Sequence, residues 1–69
     1  MEMKPVEGSS SIKAVGFEEG TLRVVFQRDI AYNYYDVPAE VHVRFIQAPS
    51  KGKFLRAEIM NKYRSEKEV

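Results

Sequence analysis

Along the chain the spacing of hydrophobic and polar positions changes once, from alternation in the first half to three- and four-residue steps in the second. Residues 12–17 are small and β-branched and predict a strand, with Val15 out of phase with Ile12 and Gly16 able to admit a bulge. Glu18-Glu19-Gly20 supplies a turn. Leu22, Val24 and Phe26 then alternate with the polar Thr21, Arg23 and Gln27, so these three side chains are expected on the core face. Gln27-Arg28-Asp29 turns the chain back, and residues 30–35 suit a pleated, half-buried surface. The first half therefore predicts an antiparallel meander of three strands.

Pro38 ends the alternation, because proline cannot continue a central strand but fits the first turn of a helix, with Asp36 placed to cap it or favour its positive end. Val41, Phe45 and Ala48 lie on one side of that helix, while Glu40, Arg44 and Gln47 face water; Pro49 stops it. Ser50 is an N-cap candidate for a second helix over residues 51–64, whose apolar stripe is Leu55, Ile59 and Tyr63, widened by Phe54. A three-stranded sheet needs a packed layer to be stable. The expected fold is α+β, a three-stranded antiparallel meander followed by two short helices packed on one face. Residues 1–8, without periodicity, are expected as a flexible lead-in that Val6 can fix to the first strand, residues 9–64 as the single domain, and residues 65–69 as a frayed charged tail.

With 69 residues, a chain buries only about 60% of the surface it exposes when unfolded, so the core must be small. It has no Cys, which excludes a disulfide staple and a thiolate zinc site. No apolar run is long enough for a membrane span or a signal peptide, so a soluble, cytoplasmic setting is expected. Net charge is +1 and pI about 8.0, short of the pI above about 9 that marks a strongly basic nucleic-acid binder. Affinity for phosphate would have to come from local clustering. Late in the chain Lys51, Lys53, Arg56, Lys62 and Arg64 meet only Glu58.

Two segments carry candidate chemistry. Tyr32 and Tyr34 stand two apart in a strand, so both rings share a face. Such a pair can stack on nucleobases, form part of a protein-binding patch, or pack half-buried with the hydroxyls wet. Ile30 shares that face and favours packing, whereas Tyr35 points to the opposite one. Ser50-Lys51-Gly52-Lys53 offers backbone N–H groups at a helix start, a glycine for close approach and two ammonium groups, with Arg56 one turn onward as a third contact for a phosphate. It lacks the spacing of a nucleotide-binding loop, and a capped, solvated helix start is the plainer reading. His42, the single histidine, has no ligand partner at helical spacing and is expected on the helix surface. Serines 9–11 have no identifiable partner base, and the carboxylates do not cluster. No catalytic residue, metal site or cofactor is expected, and an enzyme is the least favoured class.

Taken in order, Ser9-Ser10 before Ile12, Gly16-Phe17, Leu22/Val24/Phe26, Tyr32-Asn33-Tyr34, Val37-Pro38, the junction Ala48-Pro49-Ser50-Lys51-Gly52 with Phe54, and Ile59 with Tyr63 resemble the KTSC family. This is a short domain found at the C-terminus of some lysyl-tRNA synthetases and as a stand-alone bacterial or phage protein. The resemblance runs from Ser9 to Tyr63. The family pattern tends to carry a glycine in the turn before the tyrosines, where this chain has Arg28-Asp29; Asp tolerates a left-handed turn position. No catalytic or cofactor residue comes with the resemblance. Its association with tRNA charging implies RNA, either tRNA or unpaired segments, as a partner of Tyr32, Tyr34, Lys51, Gly52, Lys53 and Arg56. The alternative is a protein partner, or self-association, through the same tyrosine face.

Overall fold

The computed structural model describes residues 2–68; Met1 and Val69, the outermost residues of the expected lead-in and tail, lie outside the described residues. Its five strands form one antiparallel sheet in sequence order: β1 (Met3–Pro5), β2 (Ile12–Glu18), β3 (Thr21–Phe26), β4 (Ala31–Tyr34) and β5 (Ser65–Glu68). Between β4 and β5 come α1 (Ala39–Gln47) and α2 (Lys51–Phe54), the latter running on into a wider π turn over Leu55–Ile59. The expectation of three strands is thus corrected to five. The two additional strands occupy the edges, in the segments read as lead-in and tail. Neither β1 nor β5 has alternating apolar residues to announce it, because edge strands are held by backbone pairing to a neighbour that already exists.

The hairpin turns follow their residues closely. Glu19 and Gly20 both take positive φ (48° and 82°) between the paired Glu18 and Thr21, the left-handed two-residue turn that matches strand twist. In the next turn Asp29 takes φ 62° and its N–H donates to the Phe26 carbonyl at 2.8 Å, so aspartate does fill a left-handed position there. Asp36 is also left-handed, at φ 57°, and turns β4 toward α1 without capping it; α1 has no side-chain cap. Ser50 likewise stands at the start of α2 without a side-chain cap bond.

A bulge in β2 resolves the phase conflict between Ile12 and Val15. Ile12 pairs with Phe26 but Ala14 with Val25, leaving Lys13 as the extra residue, three positions before the expected Gly16. Both Ile12 and Val15 then join Leu22, Val24 and Tyr34 in the core, against Phe45 of α1 and Leu55 and Ile59 of the second helix. Val41 and Phe54 pack on the margin of this core, and Glu40, Arg44 and Gln47 are exposed, as the spacing predicts.

The second helix is shorter than the expected 51–64. At its end the Met60 N–H reaches back to Leu55 O at 2.7 Å, and the Lys62 and Tyr63 N–H groups both converge on Ile59 O. This closing turn redirects the chain to the free edge of β4, where Tyr35 N–H donates to Arg64 O at 2.9 Å and β5 begins. Among the described residues no helix is long and apolar enough to cross a membrane.

Candidate nucleic-acid interface

Strand pairing settles the two tyrosines. Leu22 lies opposite Tyr34 and Val24 opposite Tyr32, so both rings point to the helix-covered face. Their centroids are 6.4 Å apart with planes inclined by 26°, within the range of favourable aromatic pairs. Tyr34 is 2% exposed. Burial first, and the Tyr32 phenol second, push its hydroxyl pKa above the ordinary tyrosine value. The expectation that Tyr34 stacks on a base is therefore corrected, because its ring is already occupied by the core. Tyr35 points the other way, with the Arg64 guanidinium 5.5 Å above its ring and its hydroxyl donating to Glu66 Oε1 at 3.4 Å.

Tyr32 is only half-buried. Its ring meets Phe26 edge-to-face at 5.9 Å, and with Phe26 and Ile30 it walls an open hollow of about 400 Å³ at the β3–β4 hairpin end. Arg28 and Gln27 stand on the rim, and Ser10 and Ser11 close the far side.

The same two serines border a second hollow, of about 230 Å³. One wall is the chain from Glu7 to Ser11; the other is Ser50, Lys51, Gly52 and Lys53, with Arg56 beyond. Lys51, Gly52, Lys53 and Arg56 are thus brought together. The three cations have no ion-pair partner among the described residues, and Glu7 is the acidic residue described in the lining. Three positive groups against one carboxylate leave a local excess of two charges. The α-helical stretch is a single turn, so any attraction for anions rests on these side chains rather than on the helix end.

The serine ridge between the hollows is held from behind. Ser9 Oγ accepts the N–H groups of Ile12 at 3.0 Å and Ser11 at 3.3 Å. Gln27 Nε2 donates to Ser9 O and Ile12 O, and Gln27 N–H donates to Ser11 O at 2.9 Å. At Gly52 an added Cβ would stand 3.0 Å from Ser11 Oγ, so the bare glycine lets the second helix start against the ridge. Ser10, Ser11, Phe26, Ile30, Arg28 and Gln27 were not among the expected site residues. A run of three serines ahead of a strand is a turn signal, but nothing local tells that it will face residues 50–56.

His42 is partly covered rather than on an open helix surface. Its ring stacks on Phe17 with centroids 4.6 Å apart and planes within 7°. Burial, and secondarily Lys4, lower its pKa from the ordinary histidine value.

A model of the KTSC domain matches residues 8–63, most of the chain. The chain belongs to the KTSC family. A protein of Tsukamurella paurometabola is 37% identical over 65 residues, covering 91% of this chain and 96% of that protein. The crystal structure of a KTSC domain protein from Yersinia pestis superposes with a TM-score of 0.91 at 31% identity, covering 99% of this chain and 97% of the other. The matched segment of the KTSC domain holds β2–β4 and both helices, with the two edge strands outside it. The superposition on the Yersinia protein nevertheless extends over nearly the whole chain.

Proposed function

We propose that this KTSC domain is a small non-catalytic module that binds RNA, with unpaired segments of tRNA as the natural first ligand, in the cytoplasm. The observation that carries the reading is the convergence of Lys51, Lys53 and Arg56 on one hollow without ion-pair partners among the described residues. A net charge of +1 makes this local excess the electrostatic feature available to a polyanion. Guanidinium and ammonium groups on a shared concave surface hold successive phosphate oxygens without a catalytic group. Gly52 lets the cationic helix start pack against the serine ridge, which holds Lys51 and Lys53 at the edge of the hollow.

The docking alternative has less support, because the tyrosine face it relies on is largely spent on the core: Tyr34 is buried and Tyr32 half-covered. Salt separates the two. With three phosphate contacts to a single strand, log K against log salt should slope by roughly −2. Exchanging Lys51, Lys53 and Arg56 together for Gln should weaken binding of bulk tRNA at least tenfold and flatten that slope. Equal affinity of wild type and triple variant, measured by amide-shift titration at low and near-physiological salt, would sink the reading.

A further inference from the structure

We infer that the two hollows form one site for a phosphate joined to an unstacked base, so that the domain takes a nucleotide splayed out of single-stranded RNA rather than a duplex. This deepens the proposed function and rests on it.

The division of chemistry across the serine ridge is what points there. On one side are Lys51, Lys53 and Arg56; on the other Phe26, Ile30 and Tyr32, with Arg28 at the rim. Ser10 and Ser11 belong to both walls, which makes the cationic and aromatic hollows immediate neighbours. A nucleotide has this same split: a charged phosphate and a flat, largely apolar base joined by a sugar of a few atoms. The aromatic hollow, apolar but open, has a π-surface in Tyr32 that the core leaves half-uncovered, and Phe26 standing edge-on holds that ring in place. Arg28 adds a fourth cation, able to lie over a base or meet its own phosphate. The adjoining positive charge selects the occupant of the apolar hollow, since an apolar peptide side chain would bring nothing for the three cations.

Duplex geometry is refused on the same grounds. Paired bases are stacked on each other and cannot enter a hollow walled by Tyr32 and Ile30, whereas bases in loops and at ends can be turned out. The ridge is preorganised by the Ser9 and Gln27 hydrogen bonds, so little ordering is lost when a nucleotide straddles it. Ser10 and Ser11 are exposed between the two hollows and carry hydroxyls able to donate to or accept from a sugar.

The test changes the ligand rather than the fold. Affinities of the full chain are measured by fluorescence anisotropy for a labelled hexauridine and for an abasic ribose-phosphate chain of equal length, at low salt. A base subsite predicts that the abasic chain binds about 5- to 150-fold more weakly. Equal affinities overturn the base subsite while leaving the phosphate-binding reading standing; binding of neither overturns both. Unlabelled competitors then separate the sources of this chemistry. Hexauridine should displace the label far better than uridine monophosphate or a duplex RNA, and a monophosphate that competes equally well would overturn the assignment to a chain. Tyr32→Phe should retain the preference for bases, and Tyr32→Leu, checked for an unchanged amide spectrum outside the hairpin end, should lose it.

Discussion

A pair of tyrosines two residues apart divides here between packing and exposure, and burial decides the share of each. Tyr34, at 2% exposure, fills the centre of the core beside Leu22, Val24 and Phe45. Replacing it by alanine removes an aromatic ring that the neighbours cannot collapse to fill, with a loss of roughly 3–5 kcal/mol in urea denaturation; the chain, being small, would be close to unfolded. Tyr32→Ala should cost clearly less. That the two rings share a face was legible in their spacing, but not which of them the helices would cover, since that depends on Phe45, Leu55 and Ile59 arriving from the second half. His42 gives a second prediction at this scale. Its folded pKa is lowered, so the unfolded chain binds the proton more readily; the contribution is whole above about pH 6.5 and lost as pH falls through the folded value. Thermal melts between pH 7 and 5 should therefore show a steeper loss for wild type than for His42→Gln. Desolvation of the imidazolium, with the Lys4 ammonium as the lesser cause, is what makes protonation costly in the folded chain.

Elements whose turns and periods are local were readable, and those defined by a neighbour were not. Asp29 sits at φ 62° in the β3–β4 turn and its carboxylate meets Lys13 Nζ at 2.6 Å. Asp29→Gly adopts the left-handed geometry without the Cβ crowding that every other residue meets there, while Asp29→Ala keeps that crowding and loses the polar side chain that lets aspartate tolerate it, so alanine should be the less stable of the two by roughly 1 kcal/mol in urea denaturation. The exposed ion pair adds little to either comparison. Strand β5 shows the opposite case. Its sequence Ser65-Glu66-Lys67-Glu68 is exposed throughout and reads as a tail, yet the strand pairs with β4 and is tied across the sheet by Arg23 to Glu68 at 2.6 Å. Its charges also suit a free edge, where they discourage pairing with another chain. Ending the chain after Arg64 should cost roughly 2 kcal/mol of backbone and side-chain bonding, a Tm drop on the order of 10 °C for a domain of this size. Size-exclusion chromatography should show self-association, because β4 then presents its own unguarded edge.

Across the whole molecule, the candidate interface exists only because distant segments close on one ridge. Ser9–Ser11 comes from the lead into β2, Phe26 to Tyr32 from the second hairpin, and Lys51 to Arg56 from the second helix. Basic residues and a tyrosine were marked in the sequence by type, and the cluster Lys51, Gly52, Lys53 and Arg56 by one helical turn of spacing. Their junction with Tyr32 through Ser10 and Ser11 was not, because no period or local motif records contact between residues 40 positions apart. The meander of β2 to β4, the start and stop of the first helix and the left-handed Asp29 follow from dihedral preference and short-range spacing, and the ordered motifs from Ser9 to Tyr63 carry the family. The edge strands, the burial of Tyr34, the early end of the second helix and the pairing of a cationic with an aromatic hollow arise from packing between segments far apart in the chain. Those depend on which surfaces meet when the helices fold back over the sheet, and such meetings are long-range in the chain.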